Sequence, residues 1–443
     1  MPITDRALKR ARKGLLFAGL SLLLFNLYFM LTGHSSAYAL PTSVQVDVPI
    51  ERLAFLLSRT GCCLVIAVFD RFFRRANVVL LPTITVLTIL GNSLLSLAAH
   101  QTLVPMHMLA SGGGIVAGFG YAWFLLSIFR LFRKNGSMWH IAVLFVISYA
   151  LSNFAKSVIH ALAPPQWLPL IVLLLILIMG ISLFLAQRLL GVDEAPRLPP
   201  MKRGLDITKQ LLKSSEAMRA QVILLLASSL ALVIMAMTNP GGLWGNARFE
   251  DNIAYPVPLT LIEVIGYACI ALPLYYFHTH KTSGFWAQAP AIFTFAGLFL
   301  LEYLQVGNAD TSIALALSAI VELLTWLTYS ICITSCMRVF PLSSVRVVGV
   351  IATINFTLQL LSMLFVEGNL PTISICVLVV GASYLLALLA SLKAQDTPRM
   401  GGGGGGAGKP GKLSRVATDL NTRIEVIAHN DNFTQRETEK HHL

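Results

Sequence analysis

The sequence predicts an all-α integral membrane protein in which twelve transmembrane helices form two bundles of six. Hydrophobic residues make up 56% of its 443 positions and charged residues only 12%, whereas about a quarter of the residues in a soluble domain are charged. The apolar residues fall into long runs, each close to the roughly 20 residues that a helix needs to cross a bilayer. One long polar gap, residues 191–216, divides these runs into two sets of six. The composition therefore argues against an ordinary soluble protein, and the gap indicates two halves.

The N-terminal segment, residues 1–13, is basic and precedes the first apolar run, residues 14–33. After the run comes Ala37-Tyr38-Ala39, which resembles a signal-peptide cleavage site. A signal peptide, however, has an apolar core of only about 7–15 residues. We therefore interpret this run as a retained first span and residues 1–13 as a cytoplasmic N-terminus.

The remaining spans are placed wherever apolar runs of sufficient length recur. In chain order they are predicted near residues 52–69, 77–99, 104–129, 139–162, 165–190, 217–238, 256–279, 283–306, 309–337, 343–365 and 371–393. The first bundle then covers residues 14–190 and the second covers residues 217–393, with residues 191–216 as a cytoplasmic central loop.

The distribution of charge sets the orientation of these spans. Lys and Arg concentrate in alternate loops, including the central one, which is the positive-inside pattern. Acidic residues such as Glu250, Asp251 and Asp310 fall in the loops between them. We therefore expect a multi-pass protein with both termini in the cytoplasm. The net charge of +12 is assigned to the inner loops rather than to a nucleic-acid surface.

The loop between the second and third spans carries a candidate latch. It reads Asp70, Arg71, Phe72, Phe73, Arg74 and Arg75. A carboxylate at the end of one span can pair with a neighbouring helix end and hold two bundles in one conformation. The spacing resembles the D-R-x-x-R-[RK] core of the loop 2–3 signature of the major facilitator superfamily, which implies that fold across residues 14–393. Where the family usually has Gly, this chain has Ile66 and Phe73, and ordinary inner-loop arginines are the alternative interpretation.

Polar residues within the predicted spans suggest a ligand or proton site, because such groups are costly in lipid unless they are paired or face water. The candidates are Glu322, Trp326, Lys156, Glu263 and Asn355, the last with Gln359 one turn away. Glu322 lies near the middle of its span and could accept a proton. The alternative is that these groups form hydrogen bonds between helices or snorkel to the interface, and this alternative is favoured for Lys156, which lies nearer the end of its span.

The fourth span repeats small residues at intervals of four, Ala110, Gly114 and Gly118. This spacing lets helices approach closely, so we expect Gly114 and Gly118 to pack against a neighbour, although they would also permit bending. No metal-ligand spacing and no Ser/His/Asp set is legible. We therefore predict neither an enzyme nor a cofactor or metal site.

The C-terminal part changes character, with a Gly-rich linker at residues 394–412 and a polar tail at residues 413–443. The tail contains Phe-Thr-Gln-Arg-Glu-Thr-Glu, which resembles the L-T-x-R-E-x-E opening of a LuxR-type helix-turn-helix domain. The matching residues are Thr434, Arg436, Glu437 and Glu439. The resemblance implies a bacterial regulator held in the cytoplasmic membrane. Lys440, His441 and His442 replace the family's apolar residues and no recognition helix follows, so the head is expected to be truncated.

The sequence thus favours the membrane sensor of a LuxR-type transcriptional regulator. A small-molecule ligand of unknown identity would bind in the lipid-embedded bundle. Promoter DNA would be a partner only if the missing head were present, and a homodimer could form through that head. The alternative is a secondary transporter of the major facilitator type that moves a small solute by alternating access. A membrane scaffold without a ligand is a third interpretation.

Overall fold

The computed structural model describes the chain in segments, and every structural statement below concerns these residues. The long segments are residues 5–33, 50–98, 106–135, 138–190, 201–214, 216–238 and 311–365. Short helical pieces are described at residues 264–266, 268–269, 272, 292–294, 296–297, 381–382, 385 and 389. The predicted linker and tail, with Thr434, Arg436, Glu437 and Glu439, lie outside the described residues.

Regular structure in the long described segments is entirely helical. The α-helices are α1 (Asp5–Gly33), α2 (Ile50–Val68), α3 (Asp70–Ala98), α4 (Met106–Asn135), α5 (Met138–Leu162), α6 (Leu168–Leu190), α7 (Met201–Ser214), α8 (Glu216–Thr238), α9 (Thr311–Val339) and α10 (Ser344–Phe365), with a 3-10 turn at Pro165–Trp167. The prediction of an all-α protein is confirmed.

Helices α1 to α6 follow the six predicted spans of the first bundle, and α8, α9 and α10 follow three of the second. Six helices in the described part are long and apolar enough to cross a membrane, and the bent pair of α7 and α8 would make a seventh. Their number supports a multi-pass membrane protein. The predicted spans at residues 256–279, 283–306 and 371–393 lie mostly outside the described residues.

The lipid-facing surface of the helices is apolar. Leu16 is 73% exposed and Val79 is 76% exposed, on α1 and α3 respectively. A water-soluble protein rarely leaves broad apolar faces open. In a bilayer the acyl chains cover them, which is the arrangement that the hydropathy of these runs predicts.

Many buried hydroxyls inside the bundle bond to carbonyl groups of their own helices. Thr85 and Thr88 on α3 donate to the carbonyl oxygens of Leu81 and Ile84, at 2.8 and 2.7 Å. Such bonds to the carbonyl four residues earlier let Ser and Thr remain in a helix without an unpaired polar group in lipid. Polar side chains are therefore no obstacle to helix formation in these spans.

Helix α1 begins at Asp5, well before the predicted start of the first span. The basic residues that were expected to form a separate N-terminus continue the helix instead. Arg10 donates to the carbonyl oxygen of Arg188 near the end of α6, at 3.0 Å. A cation suits that position, because the last carbonyl groups of a helix have no partner within it.

The polar gap at residues 191–216 contains a helix, α7, where the sequence predicted a loop. Lys202, Arg203 and Lys209 are exposed, whereas Gly204 and Leu211 are buried. This pattern is amphipathic, with buried positions two turns apart. The high polarity of the segment therefore comes from one exposed face of a helix and does not indicate a loop.

Close approaches between helices occur at glycines. A Cβ atom added to Gly91 would lie 2.8 Å from the backbone nitrogen of Ala117, which brings α3 against α4. One added to Gly118 would strike the carbonyl oxygen of Phe55 on α2, and Gly114 is buried in the same helix. Gly112, by contrast, has open space around the position of a Cβ.

We expect Gly118→Ala to destabilise the protein by about 1–3 kcal/mol, because the new methyl must push α2 away from α4. Gly112→Ala is the matched control in the same helix, and we expect its thermal unfolding to follow that of the unsubstituted chain. Melting of the detergent-purified variants measures both. Equal melting temperatures for the two variants would contradict the assigned helix contact.

Candidate functional site

An arginine lies at the midpoint of α2, inside the bundle. Arg59 is only 2% exposed and stands nine residues from either end of the helix. Three aromatic rings surround its guanidinium carbon, with Phe356 at 4.0 Å, Phe55 at 5.4 Å and Tyr121 at 5.5 Å from the ring centroids. The rings come from α10, α2 and α4, so the cation joins helices of both predicted bundles.

The polar partner of this cation is an amide from the second bundle. The Nη2 of Arg59 donates to the Oε1 of Gln359 on α10. Gln359 Nε2 in turn lies 3.5 Å from the Oδ1 of Asn355, and Asn355 Nδ2 lies 3.2 Å from the hydroxyl of Tyr329 on α9. A chain of polar groups therefore runs from α2 through α10 to α9.

Part of the guanidinium has no hydrogen-bond partner among the described residues. Arg59 Nε is buried, and none of those residues places an acceptor within hydrogen-bond distance of it. Among the described residues, no carboxylate forms an ion pair with Arg59. Arg cannot lose its proton in a protein, so the site carries a full positive charge that Gln359 and the rings only partly stabilise.

Further aromatic rings extend this site across the bundle. The ring centroid of Trp326 on α9 lies 5.3 Å from that of Tyr149 and 5.7 Å from that of Phe145, both on α5. It lies 5.8 Å from the ring centroid of Tyr329. We call the full set the central cluster. Its members are Phe55, Arg59, Tyr121, Trp326, Tyr329, Asn355, Phe356 and Gln359. Cation, amide, phenol and ring surfaces together could recognise a small molecule that has both charge and apolar surface.

The residues predicted for a ligand site have different outcomes. Trp326 and Asn355 belong to the central cluster. Lys156 is half-buried on α5, about two turns beyond Tyr149. The backbone of Glu322 lies on α9 one turn before Trp326, while its side chain lies outside the described residues. Glu263 lies outside them altogether.

Sequence reasoning missed Arg59, although a signal was present. It stands in the middle of the predicted span 52–69, the depth at which a charged side chain is most costly. Most other arginines of the chain lie near span ends, where the positive-inside pattern accounts for them. The partner of Arg59, Gln359, had been noticed only as a neighbour of Asn355.

A second polar contact lies where α2 meets α3. Asp70, the first residue of α3, is 1% exposed. Its carboxylate accepts from Arg346 Nη2 at 2.6 Å and from Ser343 Oγ at 2.7 Å. Arg346 Nε also donates to the carbonyl oxygen of Ala67 at 3.2 Å. The start of α10 is thereby tied to the junction of α2 and α3 by charge-assisted hydrogen bonds.

The arginines of the predicted latch do not share one role. Arg74 lies 3.3 Å from the Asp70 carboxylate within α3, whereas Arg71 and Arg75 are exposed. The cation from the other predicted bundle is Arg346, which lies at the start of α10. The structure therefore brings Asp70 together with Arg74 but not with Arg71 or Arg75.

The two departures from the facilitator signature fill space in the core. Phe73 is buried and its ring lies 4.7 Å from that of Trp123 on α4. Ile66 is also buried. Both positions contribute apolar packing beside the Asp70 contact, so the missing glycines leave the junction between α2 and α3 well packed.

No model of a known protein family matches the chain, and no curated protein matches it in sequence. Solved transporter structures are nevertheless similar to it in fold. A bacterial homologue of the iron transporter ferroportin, in an outward-facing state with soaked iron, has a TM-score of 0.61 and 13% identity over 87% of this chain and 99% of that one. A second structure of a bacterial ferroportin homologue, also in an outward-facing state, has a TM-score of 0.59 and 13% identity over 87% of this chain and 99% of that one.

The xylose transporter XylE from E. coli, in a partially occluded inward-open conformation, has a TM-score of 0.57 and 12% identity over 87% of this chain and 98% of that one. These likenesses concern the fold. They confirm a multi-pass membrane protein with a major-facilitator-like fold. They give no support to the LuxR-type regulator that the tail suggested.

We expect opposite effects on stability from removing the two partners of the central hydrogen bond. Arg59→Met replaces a buried cation with an apolar chain of similar length and should stabilise the protein, by less than the roughly 1–4 kcal/mol gained when a whole buried ion pair is replaced, because Gln359 Oε1 loses its donor. Gln359→Leu leaves the cation without its acceptor and should destabilise it by about 1–3 kcal/mol.

The double variant Arg59→Met/Gln359→Leu should have a melting temperature equal to or slightly above that of Arg59→Met, because Leu removes the amide oxygen that Arg59→Met leaves without its donor. Thermal unfolding of the purified proteins tests all three. A large loss of stability in Arg59→Met would instead assign Arg59 a structural role.

Proposed function

We propose that the protein is a secondary transporter of the major facilitator type, which moves a small solute by alternating access around the central cluster. The observation that carries this proposal is the contact of Arg59 with Gln359, a polar contact between the two predicted bundles at the midpoint of α2. In secondary transporters, substrate sites lie near the bilayer midplane between the two halves.

The fold supports the same function. The solved structures with a similar fold are described as transporters, of iron and of xylose, and they are recorded in outward-facing and inward-open states. What those proteins carry is a property of those proteins alone. Residues 14–190 and 217–393 would be the two rocking halves, with α7 in the segment between them.

The Asp70 contact supports a closed side in the present state. It ties α10 to the start of α3, at the end of the bundle that the charge distribution predicts to be cytoplasmic. We propose that this contact, Asp70 with Arg346 and Ser343, is the latch of the cytoplasmic side. Breaking it would allow the two halves to separate there, which alternating access requires.

The sensor interpretation would use the same ligand site without translocation. Its distinctive part, the tail at residues 413–443, lies outside the described residues. The regulator therefore stays a prediction, and transport is the function that the fold favours.

We expect Asp70→Asn to favour opening of the latched side, because the amide cannot form the ion pair with Arg346. Cys63 reports on this opening. It is buried on α2, and its carbonyl oxygen would lie 3.1 Å from a Cβ on Gly349 of α10. In a variant that keeps Cys63 as its one cysteine, a polar maleimide should react with the purified protein at least several-fold faster after Asp70→Asn.

Arg346→Gln should increase the reaction rate in the same way. Arg75→Gln is the matched control, because Arg75 lies on the same helix turn as Arg74 but is exposed. Reaction rates of Cys63 that remain equal in all variants would show that this side does not open, and alternating access would be ruled out for these helices.

A further inference from the structure

If the central cluster is the solute site of a transporter, as proposed above, its chemistry indicates that the solute is negatively charged. Arg59 is buried and retains its proton, and its Nε has no acceptor within the part of the chain that the structure describes. A cation held in lipid at this cost is unnecessary for binding a neutral solute. A ligand that brings an acceptor to Nε would complete the hydrogen bonding of the guanidinium.

We infer that the central cluster binds a small organic anion, a carboxylate with an apolar or aromatic body. The carboxylate would accept from Arg59 Nε and a neighbouring Nη, the two-point geometry that guanidinium groups and carboxylates share. Gln359, which already accepts from Nη2, holds the guanidinium in place. The amide of Asn355 lies next to it.

The rings around the guanidinium select the rest of the ligand. Phe55, Tyr121 and Phe356 cover Arg59 at 4.0 to 5.5 Å, so a ligand that reaches Nε passes aromatic surface. Trp326 and Tyr329 add rings from α9. Such a lining favours a ligand with an apolar body.

A metal cation fits this cluster poorly. The guanidinium would repel it, and among the described residues no group of three His, Cys, Asp or Glu side chains is placed to hold a metal ion. The likeness in fold to a homologue of an iron transporter therefore does not extend to metal ligands in the described part of this chain.

Matched pairs of acids and amides test the inference on the full-length chain in detergent. Benzoate, phenylacetate and lactate are compared with benzamide, phenylacetamide and lactamide, which keep the body and remove the charge. We expect at least one carboxylate to raise the melting temperature in a concentration-dependent manner while its amide leaves it unchanged. This comparison requires no variant, so it does not depend on whether a substitution folds.

Variants then locate the anion. Arg59→Gln should abolish the shift, and Arg59→Lys should weaken binding about tenfold, because an ammonium replaces the two-point contact with a single one. Arg203→Gln, at an exposed arginine of α7, should keep the shift. Chloride and inorganic phosphate are tested in the same way. If either one raises the melting temperature as much as the best carboxylate does, the assignment to an organic anion is wrong.

The inference fails if no carboxylate in the panel raises the melting temperature, if an amide equals its acid, or if Arg59→Gln retains the shift. Its failure is distinguishable from failure of the transport proposal. A carboxylate that binds while Cys63 remains unreactive in Asp70→Asn would support the anion site and reject transport. If Cys63 becomes reactive in Asp70→Asn but no carboxylate binds, the transport proposal is supported and the anion site is rejected.

Discussion

The guanidinium of Arg59, buried at the midpoint of α2, constrains the structure around it. A buried charge needs polar or aromatic partners, so the groups that stabilise Arg59 must come from the side chains packed around it. Phe55 is on its own helix, Tyr121 comes from α4, and Phe356 and Gln359 come from α10. The cost of one desolvated charge thereby fixes which faces of α2, α4 and α10 meet.

Helix α10 contacts two buried charges, Asp70 and Arg59, and these differ in how far their hydrogen-bonding groups are paired. Asp70 forms an ion pair with Arg346, and each of its two carboxylate oxygens accepts a hydrogen bond, one from Arg346 and one from Ser343. Arg59 has an amide and three rings but no described counter-ion, and one nitrogen is left over. A satisfied pair suits a contact that holds helices together. An unsatisfied cation suits a place where another molecule supplies the missing charge.

Much of this fold follows from local sequence properties, whereas the site depends on distant pairings. Apolar runs predicted α1 to α6 because each helix needs only its own length and hydropathy. Asp70 could be singled out from its flanking arginines, but its partner Arg346 is 276 positions away. Gln359 is 300 positions from Arg59, and spacing in one sequence carries no information about such a contact. Helix α7 was overlooked because polarity was given more weight than periodicity.

The close approach at Gly349 has a mechanical consequence for α10. A Cβ there would lie 2.9 Å from that of Ala67, so this glycine touches α2 between the Asp70 and Arg59 contacts. Along α10, Gly349 is about 4.5 Å from Arg346 and about 15 Å from Gln359, at 1.5 Å per residue. If α10 rotates as a rigid helix about Gly349, these two distances stand in a ratio of roughly one to three. A small displacement of Arg346 at the ion pair would then produce a displacement of Gln359 about three times larger.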